Sequence, residues 1–201
     1  MTSDEVKKVV FLSSCFCIVS TLIIYFLNGQ KLTLDTLKNL SSVLSVVSVF
    51  WAMYFAFGWK LPYVKKILPK TNLNGTWIGE YKANSEGKEY EGKIGLAIRQ
   101  KFFSIKITSF TIRFQNYSYL ERVVNENENG VLQLDYVYTQ DENDDVEERV
   151  RKGVTEIKLV APDKMSGYFW TNANSNGRIC VTFKSRNHYN SFEEIENEEN
   201  E

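Results

Sequence analysis

The hydrophobic and polar positions of this chain change rhythm at residue 73. Ahead of it, Val9–Leu27 runs 19 residues without a charge, and Leu40–Gly58 runs another 19. Each run approaches the roughly 20 residues a helix needs to cross a hydrocarbon core about 30 Å thick. The pattern predicts spans over 9–27 and 40–58, joined by the 12 residues Asn28–Asn39. Past residue 73, short runs alternate apolar with polar and are broken by turn formers such as Glu128-Asn129-Gly130, Ala161-Pro162-Asp163 and Asn174-Ser175-Asn176-Gly177. They predict strands over 74–83, 91–100, 103–109, 111–119, 131–139, 153–161, 164–171 and 177–186. Many short strands with no helical period among them indicate a sandwich or barrel. The expected fold class is membrane-anchored all-β: an N-terminal two-helix transmembrane hairpin followed by a small eight-stranded antiparallel β-barrel.

The domain plan follows: 1–60 hairpin, 61–72 basic juxtamembrane linker, 73–189 cytoplasmic β-barrel, 190–201 acidic disordered tail. A signal peptide is the rival reading of the first run, but no small-residue cleavage site precedes a mature domain and a second span follows directly. At the opening of the barrel, Gly75, Trp77, Gly79 and Tyr81 fall at every second position, which puts all four on one face of a strand. Two glycines beside two large aromatics suit a tight corner filled by rings.

Charge sharpens this plan. The net charge of -1 calls for no DNA or RNA groove. Lys7 and Lys8 flank the first span and Lys60, Lys65, Lys66 and Lys70 follow the second, against Lys31 and Lys38 in the loop. That bias predicts two spans with both termini cytoplasmic. Three cysteines, Cys15, Cys17 and Cys180, form no disulfide framework and suit a reducing compartment.

Catalytic chemistry finds no purchase. No phosphate-binding glycine loop or nucleophile elbow occurs, and the single histidine, His188, has no metal-ligating companions. In the acidic loop Gln140–Lys152, the calcium-like start Asp141, Asn143, Asp145 fails at Val146 and Lys152, where glycine and glutamate are needed. No enzyme, metal or cofactor is expected. The barrel interior is more informative. If Trp77 and Tyr81 face inward, Leu134, Tyr136 and Tyr138 form a second inward column, and Phe169 and Thr171 a third. Tyrosine offers a ring for stacking a base and a hydroxyl for hydrogen bonding. Arg99, Arg178 and Arg186 are the candidate phosphate contacts. The alternative is a filled tyrosine core with solvent-facing arginines. In the spans, small residues recur four apart at Ser48, Ala52 and Ala56 and at Ser13, Cys17 and Thr21, which fits packing within one hairpin or between subunits.

Taken in order, these features resemble a known family. A two-helix anchor precedes Leu73-x-Gly75-x-Trp77-x-Gly79-x-Tyr81, then Tyr136-x-Tyr138, Gly153, Met165-x-Gly167-x-Phe169-x-Thr171 and Gly177-x-Ile179. The order is similar to that of the two-transmembrane, β-strand-rich effectors of bacterial cyclic-oligonucleotide antiphage signalling (CBASS). The resemblance implies that the barrel binds a cyclic nucleotide, a cyclic dinucleotide by preference, made by a cognate nucleotidyltransferase. Binding would drive homo-oligomerisation and disruption of the bacterial inner membrane, so that the infected cell dies. It implies a ligand chamber lined by Trp77, Tyr81, Tyr136, Tyr138, Phe169 and Thr171. The chain departs from the pattern at Ala173, where arginine is expected, at Arg151, where histidine is, and at Gln140, where asparagine is. The competing reading is a membrane-anchored, lipocalin-like carrier of lipid or a small hydrophobic molecule, since such barrels also open on Gly-x-Trp; a third is a filled scaffold.

Overall fold

The structure is a computed structural model that describes residues 3–27, 34–125, 131–141 and 151–199. Most of the acidic loop Gln140–Lys152, with Asn143 and Asp145, lies outside the described residues, as do the turn Glu128-Asn129-Gly130 and half of the loop Asn28–Asn39. The chain forms two compact units: Met1–Asn72 with Lys101–Phe103, and Leu73–Gln100 with Ser104–Glu201.

The first unit holds helices α1 (Ser3–Leu27) and α2 (Leu34–Ala56). Glu5–Leu27 is long and apolar enough to cross a membrane, and none of its most apolar stretch is buried within the protein. An apolar, unburied surface of this kind suits a lipid surround. The apolar part of α2 among the described residues, Ser41–Ala56, is shorter. The helix stops at Ala56 and passes into 3-10 turns at Gly58–Lys60 and Val64–Lys66, so the expected hairpin is met in part. The indole of Trp51 on α2 donates to Ser13 Oγ on α1 at 2.8 Å. Ser13 is therefore committed to packing between the two helices, whereas Ser48, Ala52 and Ala56 lie exposed. Below, Trp51, Tyr54, Trp59, Leu68 and Phe102 make a small aromatic core. Lys70 lies over the Phe102 ring at 4.5 Å and donates to the Phe102 carbonyl, and burial lowers its pKa.

The second unit is a closed antiparallel barrel: β1 (Gly75–Ser85), β2 (Lys88–Gln100), β3 (Ile105–Phe110), β4 (Gln115–Asn125), β5 (Leu132–Asp141), β6 (Lys152–Ala161), β7 (Lys164–Thr171) and β8 (Ser175–Ser185). Each strand pairs with the next, and β8 returns to β1, Thr76 opposite Ser185 and Ser85 opposite Ser175. Closure brings backbones close at two glycines. A Cβ on Gly79 would lie 1.9 Å from the Cys180 carbonyl oxygen, and one on Gly167 1.8 Å from that of Glu156. No other residue fits at either place.

Two expectations need correction. β4 was expected over 111–119 but begins at Gln115, because Thr111 closes a turn: its hydroxyl accepts the Phe114 N–H at 3.0 Å and its N–H donates to the Phe114 carbonyl at 2.8 Å. The acidic end, expected as a disordered tail, carries helix α3 (Phe192–Glu199). Ser191 Oγ accepts the Glu194 N–H at 3.2 Å while the Glu194 carboxylate accepts the Asn190 N–H at 2.6 Å, close to a capping box. Phe192 and Ile195 bury themselves with Ala97 and Phe110 on the outer wall. That apolar contact decides order over the repulsion of the glutamates.

Inside the barrel, Trp77, Leu96, Ile98, Leu134, Ile157, Met165 and Val181 belong to one apolar cluster. Trp77 is 2% exposed and its Nε1–H donates to the Leu73 carbonyl at 2.9 Å, so its one polar atom is satisfied where it is buried. At this end the lone His188 has its Nε2 3.0 Å from the Ile98 carbonyl oxygen, a structural tie.

Candidate functional site

The opposite end of the barrel differs in chemistry. There the inward positions are Tyr81, Tyr138, Phe169 and Thr171, with Tyr136 one step deeper. Three of these rings lie across a glycine on the next strand. Tyr81 is paired with Gly92, Tyr138 with Gly153 and Phe169 with Gly177. A Cβ on Gly92 would lie 3.0 Å from Tyr81, one on Gly153 2.3 Å from Tyr138, and one on Gly177 2.8 Å from Phe169. Glycine thus lets each ring lie against the wall. Tyr81 and Phe169 meet edge to face at 6.4 Å, and Tyr136 and Tyr138 are tilted at 6.0 Å. Tyr81, Phe169 and Thr171 keep partial exposure, as a mouth requires. The Thr171 hydroxyl is held 2.8 Å from Ser175 Oγ and bridges the turn from β7 to β8, so it acts as a post of the rim.

A polar network underlies the rings. Burial raises the pKa of Tyr136, against hydrogen bonds from the Thr155 and Ser109 hydroxyls. Asn116 is 9% exposed and its Nδ2–H donates to Ser109 Oγ at 3.0 Å. Asn116 stands directly opposite Gln140, whose N–H donates to the Arg151 carbonyl at 2.8 Å. Since Tyr138 and Gly153 face inward as a pair, Gln140 and Arg151, two residues further on, share that face. The hydroxyl of Tyr138 is pushed up to about 12 by burial. Both inner tyrosines therefore stay neutral and can donate at physiological pH.

The expected cations do not join this site. Arg99 is exposed on the outer wall, its Nη2 3.2 Å from Asn190 Oδ1, because Ile94, Leu96 and Ile98 take the inward positions of β2. Arg178 lies outside as well, over the Tyr168 ring at 5.8 Å, and Arg186 donates to the Asn74 carbonyl at the far end at 2.7 Å. The correction has a plain cause. Strand alternation sends 99 and 178 outward whenever Ile98 and Ile179 point in. Conversely, Ser109, Asn116 and Thr155 were missed. Ser109 and Asn116 fall on either side of the misplaced start of β4, and the bulge between Ser118 and Leu120 breaks the alternation that would have exposed the pattern.

Comparison with known proteins places this barrel beside a described family. Residues 68–183, more than half of the chain, match the family described as Cap15, cyclic dinucleotide receptor domain. No curated protein matches the sequence.

Proposed function

Because the chain belongs to the Cap15 cyclic dinucleotide receptor family, we propose that the ring-lined mouth of the barrel is where the cyclic nucleotide binds, and that binding switches the protein from a quiescent to a membrane-disrupting form. The observation that carries this is the trio of rings laid over glycines at one open end, Tyr81, Tyr138 and Phe169, above a buried polar floor. Flat rings stack nucleobases, at about 1–3 kcal/mol per base. Thr171 and the tyrosine hydroxyls supply hydrogen bonds to sugar or base. Arg151, on the inward column at the rim, is the proposed phosphate contact, in place of Arg99 and Arg178.

Nothing in this reading requires a reaction: the protein is a receptor and effector, not an enzyme. The activated state is a homo-oligomer in the bacterial inner membrane, crossed by α1 and α2 with both ends cytoplasmic. The exposed stripe of Ser48, Ala52 and Ala56 supports contact between subunits, since close approach of helix backbones needs small residues. A ligand that binds the assembled form about 100-fold better contributes roughly 2.7 kcal/mol per subunit toward assembly. Killing the infected cell before phage release is the outcome this reading assigns to assembly.

The test is calorimetry on the full chain in detergent micelles with a panel of cyclic di- and trinucleotides, and with fatty acids as controls. Saturable heat from at least one cyclic dinucleotide is expected. Heat from fatty acids alone would establish the carrier instead.

A further inference from the structure

Among the described residues, two buried side-chain atoms at the mouth have no hydrogen-bond partner: Asn116 Oδ1 and Gln140 Nε2. They belong to directly opposed residues of β4 and β5, and one is an acceptor while the other is a donor. They could satisfy each other, yet no bond joins them. The orientation of Asn116 is set from behind. Its Nδ2–H is given to Ser109 Oγ, and the Ser109 hydroxyl is engaged with Tyr136, so Oδ1 is the atom left over. Burying an acceptor and a donor unmet costs stability. Groups held unmet beside a binding mouth are the mark of a site whose partner arrives with the ligand.

We propose that Asn116 and Gln140 read the edge of one nucleobase of the bound cyclic dinucleotide, Asn116 Oδ1 accepting a base N–H and Gln140 Nε2 donating to the adjacent carbonyl oxygen or ring nitrogen. The inference rests on the receptor reading above and adds to it the residues that select the base. The chemistry is restrictive. Phosphate oxygens and a fatty-acid carboxylate only accept, so neither satisfies Asn116 Oδ1. A Watson–Crick edge carries a donor beside an acceptor at the spacing of two neighbouring side chains. The rings of Tyr138 and Tyr81, which stack any base, confer affinity without selectivity, and the amide pair confers the reverse.

The experiment measures dissociation constants of the full chain in micelles for cyclic dinucleotides bearing adenine, guanine and uracil, for the wild type, Asn116→Leu and Gln140→Met. The wild type should prefer one base by about tenfold or more. In both variants the affinity for the preferred ligand should fall until the preference is within about twofold, while the weaker ligands change little. Loss of a hydroxyl partner by Ser109 can unfold Asn116→Leu; in that event Gln140→Met, which removes an Nε2 without a partner among the described residues, decides the matter alone. Uniform weakening across the panel, an unchanged preference, or a wild type indifferent to the base would overturn this inference and leave the receptor reading intact. A wild type that binds none of the panel would overturn both.

Discussion

Replacing Gly153 by alanine tests the ring-over-glycine arrangement most directly. The added Cβ would lie 2.3 Å from both Cζ and the hydroxyl oxygen of Tyr138 and 2.8 Å from Cε1, where about 3.5 Å is the closest comfortable approach. Gly153 is not among the glycines with positive φ, so the backbone itself accepts alanine. Two effects then compete. Removing a glycine from a strand gains about 0.5–1 kcal/mol. Forcing a ring that is 8% exposed out of its place costs about 1–3 kcal/mol. The clash wins, and the expected result is a lower melting temperature by circular dichroism. Ligand affinity should fall further than stability suggests, because a displaced Tyr138 cannot stack. Losing about 1–3 kcal/mol raises the dissociation constant roughly 5- to 150-fold. The decisive arm is a double-mutant cycle. In a Tyr138→Leu background the alanine methyl meets no ring, and Gly153→Ala should become neutral or stabilising. If the substitution costs the same in both backgrounds, or leaves melting and affinity untouched in the first, the argument from ring placement fails.

Alkaline titration should find two tyrosines that resist ionisation. With the folded pKa of Tyr138 near 12 against an ordinary 10, stability on the order of a few kcal/mol is present below pH 10 and lost as the pH rises through 12; Tyr136 acts in the same direction. Absorbance at alkaline pH in which these tyrosines titrate normally before unfolding would refute their burial. Arg151→Ala should weaken cyclic dinucleotide binding about tenfold or more, in line with loss of a charge-assisted bond. Arg99→Ala and Arg178→Ala should leave it within about twofold, read by the same calorimetry. Leucines in place of Ala52 and Ala56 should block ligand-induced oligomers seen by cross-linking; unchanged oligomers and toxicity would show that the stripe serves no subunit contact.

Much of the fold was legible because closure of a small barrel imposes alternation. On the runs 75–81, 134–138 and 165–169 every second residue is apolar, aromatic or glycine, and the inward direction of Trp77, Tyr136 and Phe169 follows from parity. Parity failed in β2, where Ile94, Gly95, Leu96, Ala97 and Ile98 are all buried. One face of that run fills the barrel and the other lies under Phe192 and Ile195 of α3. A strand covered on both sides reads as a continuous apolar run, and nothing in it says which way Arg99 points. The covering helix was itself encoded, in Ser191-x-x-Glu194 and the spacing of Phe192 and Ile195, but six glutamates among the last 11 residues masked it. The base-edge pair was hidden differently. Asn116 and Gln140 lie 24 positions apart, and only the register of β4 against β5 makes them neighbours.

The pairing of β8 with β1 also sets a timetable for biosynthesis. α1 leaves the ribosome before β8, and until β8 arrives the mouth lacks Gly177, the glycine under Phe169, while β1 has an unpaired edge. If the mouth binds the ligand as proposed, a growing chain is deaf to it. Cyclic nucleotide already present in the cell meets a competent receptor only once translation has run through Ser185, when the apolar helices have long since been delivered to wherever they reside. Under the proposed function, chain order alone would keep half-made chains from answering the ligand.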